Sequence, residues 1–78
     1  MSHNMTTLSN LAPGEMAVVH ELTGGWGFMS RLATLGFTPG ARLTMVQNFG
    51  HGPLIVSIRG TRIALGRGEA AKVYVTKE

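Results

Sequence analysis

The sequence predicts a mainly β protein: a small β-barrel of about five strands with one short helix after the first strand. Three observations lead there. Short apolar segments recur at roughly 8 to 12 residue spacing between turn signals. Eleven glycines and two Pro-Gly pairs punctuate a chain of 78 residues, which suits many tight turns. The chain holds no cysteine and is 44% hydrophobic, so a single apolar core must hold it together. A flat sheet this small would leave one face bare, whereas rolling it up removes most open edges.

Residues 1–7 are polar and aperiodic and read as a flexible N-terminal arm ahead of one domain, 8–78. Leu8-Ser9-Asn10-Leu11 suits a single helical turn that drops two leucines onto the core. Pro13-Gly14 then matches a type II turn, with Pro setting φ and Gly taking the positive φ after it. Met16 to Leu22 follows as a strand, and Gly24 to Gly27 as a loop. Phe28, Leu32 and Leu35 recur at helical spacing and predict a helix over 28–35, stopped by Gly36 at the left-handed C′ position. Phe37 packs back, Pro39-Gly40 repeats the earlier turn, and Leu43 to Gln47 is the next strand. The two Pro-Gly segments share local geometry, but two units are too few for a stacked repeat.

A hairpin follows. Ile55–Arg59 and Arg62–Leu65 flank Gly60-Thr61, a pair suited to a type II′ turn. That register sets Ile58 against Ile63 and Val56 against Leu65 on one face, with Arg59 opposite Arg62 on the other. Gly66 to Lys72 connects through a helical turn that tucks in Ala70, and Val73-Tyr74-Val75 is the last strand.

The charge sum is +3 with no aspartate at all. Without Asp or Cys, and with four scattered glutamates, no nucleophile–base pair can be assembled, and the chain reads as a non-enzyme. Gly24 to Arg31 lacks the lysine and spacing of a phosphate-binding loop. The apolar runs are far shorter than the ~20 residues that span a bilayer. No basic segment leads into an apolar one at the start, so a soluble cytosolic domain is expected.

What remains is binding. Trp26, bounded by glycines, is either a core plug or an anchor for a partner, and Phe28 beside it shares that choice. Arg31 is exposed on the helix and suits a partner carboxylate. Arg59 and Arg62 form a second basic pair, with Arg67 and Lys72 nearby. For a divalent cation such as Fe²⁺ or Zn²⁺ the candidates are His20, Glu21 and His51. Neighbours on a strand point to opposite faces, so His20 and Glu21 should not chelate one ion, and a shared site in a metal-bridged dimer is the better expectation. No cofactor is required. A nucleic-acid-binding barrel is the alternative, disfavoured because the aromatics do not alternate with the arginines along one strand.

Leu11-x-Pro13-Gly14-Glu15 and Arg31-Leu32-x-x-Leu35-Gly36-Phe37-x-Pro39-Gly40 together resemble the FeoA family of ferrous iron transport. Gly52-Pro53, Val56-x-Ile58-x-Gly60-x-x-Ile63-Ala64-Leu65 and Ala70-x-x-Val73-x-Val75 extend the likeness over Leu8 to Thr76. The resemblance implies an SH3-like barrel that acts in the cytoplasm beside FeoB, a membrane transporter with a GTP-binding domain. It implies a peripheral association with the inner membrane through that partner, with no direct insertion and no nucleic acid. The SH3-like C-terminal domain of iron-dependent repressors is a second relative. Two departures are visible: Gly66 precedes Arg67 where many relatives carry a basic residue, and Gly24-Gly25-Trp26-Gly27 is glycine-rich.

Overall fold

A computed structural model describes residues 4–78. Six strands form one antiparallel sheet: β1 (Met5–Thr7), β2 (Met16–Leu22), β3 (Arg42–Gln47), β4 (Leu54–Ile58), β5 (Thr61–Leu65) and β6 (Val73–Lys77). Their order is β1-β6-β2-β3-β4-β5. A 3₁₀ turn at Leu8–Asn10 follows β1, helix α1 (Trp26–Thr34) follows β2, and the short helix α2 (Arg67–Ala70) precedes β6. The sheet curls around its core without closing, because among the described residues β1 and β5 pair with nothing beyond β6 and β4.

The expectation of about five strands falls short by one. Met5–Thr7, read as part of a loose arm, pair with Tyr74–Thr76 of β6. So short and polar a strand carries no periodic signal of its own; its partner's backbone imposes it. The rest of that arm, Met1 to His3, lies outside the described residues. The helix therefore follows the second strand, not the first.

Alternation puts Ala17, Val19, Leu43, Met45, Leu54, Val56, Ile58, Ile63, Leu65, Val73 and Val75 on the inner face. Leu8 of the 3₁₀ turn and Leu11 just after it, Leu32 of α1, Phe37 and Ala70 of α2 complete the core, and among the described residues no polar one is buried.

The two Pro-Gly turns are more closely related than their sequences require. Gly14 and Gly40 take φ of 89° and 90°. The Gly14 N–H donates to the Met45 carbonyl at 2.7 Å, and Met45 N–H returns a bond to Glu15 at 2.9 Å. In the same way Gly40 N–H donates to Val19 at 2.8 Å, and Val19 N–H to Ala41 at 2.8 Å. Each turn thus latches onto the strand that the other one feeds, around the β2–β3 ladder. The bulges obey the same relation, one between Val19 and Glu21 and one between Met45 and Gln47.

The hairpin register differs from expectation. Val56 pairs with Ile63, Leu54 with Leu65 and Ser57 with Arg62, around a two-residue turn at Arg59-Gly60. Both central residues have positive φ, 53° and 77°, which is a type I′ turn. Moving the turn back one residue shifts the pairing by two, so the same apolar set still faces inward. Arg59 is consequently in the turn, not opposite Arg62. Its left-handed conformation costs a non-glycine residue about 1 kcal/mol or more.

Candidate functional site

Helix α1 starts two residues before the expected Phe28. Gly25 is its N-cap, in extended conformation and without a side-chain bond, and Trp26 is the first helical residue. The helix ends as the sequence predicts: Gly36 (φ 108°) donates to Ala33 at 3.0 Å and Phe37 N–H to Leu32 at 2.9 Å. That bond pair is a Schellman motif, with Leu32 and Phe37 both in the core. Leu35, expected on the core face, instead caps the helix and is 38% exposed.

Two stripes run along α1. Phe28 and Leu32 face the sheet. Trp26, Met29, Ser30 and Ala33, also at helical spacing, face a groove of about 260 Å³ closed on its other side by Leu22, Phe37, Thr38 and Pro39. The groove's lining is almost wholly apolar. Trp26 stands at its mouth, 82% exposed, so it is not a core plug. Phe28 takes that part: it is half-buried against the core, with Lys72 Nζ 5.4 Å from its ring centroid. Leu22 and Pro39 come from separate elements, and no local sequence signal joins them to the helix.

Arg31 is exposed, as expected, but it is engaged: its guanidinium pairs with the Glu69 carboxylate of α2. The other oxygen of Glu69 accepts the Gly66 N–H at 3.0 Å. That backbone bond is the main reason the Glu69 carboxyl titrates below the usual 4.5, against an opposing desolvation, with Arg31 adding to it. Glu15 is lowered likewise, chiefly by the Ala12 N–H. Both acids thus stabilise the fold above about pH 4.5, and this support is lost as pH falls through their lower folded values. Glu69→Gln should accordingly flatten part of the acid limb of a melting-temperature profile. An unchanged limb would show that this carboxylate does not couple to folding.

Arg59 lays its side chain over Gly36, where an added Cβ would come within 2.8 Å of Arg59 Cδ. Arg62 lies exposed on β5. Neither arginine has a carboxylate partner among the described residues, while Arg31, Arg42 and Lys77 pair with Glu69, Glu78 and Glu15.

The metal candidates separate. At the β2 bulge two residues oppose one of β6, which turns His20 and Glu21 toward each other, with Nε2 and Oε1 3.7 Å apart. The strand-alternation argument fails there because a bulge breaks alternation. His51 sits in the β3–β4 loop, at the opposite end of the β2–β3 ladder. Among the described residues no three His or acidic groups are placed to hold a metal.

Asn48 is a residue the sequence reading did not single out. Its amide donates to the carbonyls of Ser9 (3.1 Å) and Leu11 (2.7 Å), and its oxygen accepts from Gly50 N–H (3.0 Å) and Arg67 Nη2 (2.7 Å). One side chain thus ties the 3₁₀ turn, the β3–β4 loop and α2 together. Among the described residues no helix is long and apolar enough to cross a membrane.

Comparison with known proteins agrees with this geometry. The FeoA domain model matches residues 6–77. A protein of Methanocaldococcus jannaschii that carries the name Fe(2+) transport protein A is 38% identical over 71 residues, 91% of this chain and 85% of its own length. The crystal structure of an iron uptake regulatory protein (FeoA) superposes with a TM-score of 0.89 at 35% identity, covering 95% of this chain and 99% of that one. Stenotrophomonas maltophilia FeoA complexed with zinc, described as a prokaryotic SH3-domain protein, gives 0.82 at 34% identity over 94% and 95%. IdeR of T. acidophilum shares the fold alone: its TM-score is 0.86 at 18% identity, over 100% of this chain and 36% of that one. The fold is therefore SH3-like, with an open sheet, and the chain belongs to the FeoA family of ferrous iron transport proteins.

Proposed function

We propose that this chain is a cytoplasmic accessory protein of ferrous iron uptake that docks on a FeoB-type transporter and modulates it without chemistry of its own. The observation that carries the docking site is Trp26, 82% exposed beside an apolar groove. A tryptophan so placed is a ready hot spot, since covering it and the groove removes a large apolar area from water. Phe28 and Arg31 support the site from beneath: Phe28 seats the helix on the core, and Arg31 fixes it to α2 through Glu69. Where the transporter offers the matching surface in only one of its conformations, binding of this chain shifts their populations by its differential affinity. The protein would then be peripheral to the inner membrane through its partner alone.

The test is binding of the full chain to the purified transporter in nanodiscs. Trp26→Ala should weaken binding by about 30-fold, the equivalent of 2 kcal/mol, while leaving the melting temperature unchanged. Equal binding by the variant, or none by the parent protein, defeats the reading. The His20–Glu21 pair supplies two of the ~four donors a closed tetrahedral site needs, so Fe²⁺ or Zn²⁺ held there would bridge two copies.

A further inference from the structure

We propose that the open edge of β5 receives an extended acidic segment of another protein by strand addition. The type I′ turn makes Ile58–Thr61 a bonded pair, so bonded pairs recur at Val56–Ile63 and Leu54–Leu65. The N–H and C=O groups of Arg62 and Ala64 therefore point away from β4, toward the unpartnered edge. No other backbone group of the described residues bonds to them. The side chains of both residues are exposed, and nothing in the strand blunts the edge except Arg62 itself: it has no proline and no bulge. The opposite edge, β1, is only three residues long, whereas β5 is a template long enough to hold a strand.

Charge selects the occupant. Arg62 lies on this edge strand and Arg59 in the turn that leads into it, with its side chain laid over Gly36; neither has a carboxylate partner among the described residues. Arg59 is moreover held at positive φ in a position where Asn would sit at ease. The same arginines oppose a second copy of β5, because edge-to-edge pairing would bring like charges together. Main-chain bonds would then give affinity and the arginines selectivity. This surface is separate from the Trp26 groove, and the inference stands whether or not the transporter binds there.

Two short peptides, one alternating Glu with Val and one alternating Lys with Val, are titrated into the full chain and amide exchange is followed by NMR. The acidic peptide should slow exchange at Arg62 and Ala64 at least 10-fold, and the basic one should not. Ala64→Pro removes an outward N–H without touching the β4 ladder, so it should abolish that protection in a protein that still melts cooperatively. The double variant Arg59→Glu with Arg62→Glu, at two exposed positions, should reverse the preference toward the basic peptide, and it decides the matter if the proline variant does not fold. Protection centred on Trp26, unchanged binding by folded Ala64→Pro, or an unreversed preference overturns the proposal. So does protection of Arg62 and Ala64 that rises with protein concentration alone.

Discussion

Phe37→Ala should cost about 3–5 kcal/mol of unfolding free energy, as full truncation of a buried aromatic does. A chain of this size has about 4–12 kcal/mol in total, so the variant should lose at least about a quarter of its stability. Phe37 is fully buried, its N–H closes the Schellman motif on Leu32, and its ring forms part of the groove floor. Urea denaturation should show a lower midpoint with an unchanged slope if the native state survives. Phe37→Leu should retain most of the stability, and Phe49→Ala, at a residue 70% exposed, should fall within about 0.5 kcal/mol of the parent. Equal losses from the two alanine variants would contradict the burial assigned to Phe37.

Asn48→Ala is expected to cost about 2–4 kcal/mol. It removes four hydrogen bonds at once and leaves the Ser9 and Leu11 carbonyls and the Arg67 guanidinium without their partner. The penalty is large because Arg67 is already poorly satisfied, its buried Nε having no acceptor. Asn48→Asp separates the two halves of the network: a carboxylate still accepts from Arg67 and Gly50 but donates nothing to the carbonyls. If the aspartate variant is nearly as unstable as the alanine, the tie to the 3₁₀ turn dominates. Amide exchange around Leu8–Leu11 should quicken in both variants, and a loss below about 0.5 kcal/mol would show that water replaces the side chain at little cost.

Local chemistry accounts for what the sequence disclosed. Pro13-Gly14, Pro39-Gly40 and Gly36 are read correctly because only glycine adopts their φ readily, and Met16–Leu22 because its valines favour extended backbone. The hairpin shows the limit of such reading. A shift by two residues preserves every inward side chain, so alternation cannot choose between a turn at Gly60-Thr61 and one at Arg59-Gly60. Trp26 begins a helix between two glycines that disfavour it. Packing of Phe28 and Leu32 on the sheet supplies that stability, and packing is not local. The groove has the same character, since Leu22, Trp26 and Pro39 meet only after folding. Asn48 gives no signal at all: a lone amide in a loop becomes central only through partners remote in sequence.

The reciprocal latching of the two Pro-Gly turns bears on how the chain matures on the ribosome. Gly14 waits for Met45, and Gly40 finds Val19 already made but unsupported. A nascent polypeptide that ends before Met45 has the Gly14 latch still open, and β6, which flanks β2, is the last of the six strands to emerge. A chain cut off before β6 lacks the strand that joins β1 to β2, and such a truncated product should be cleared by proteases rather than persist as a half-domain.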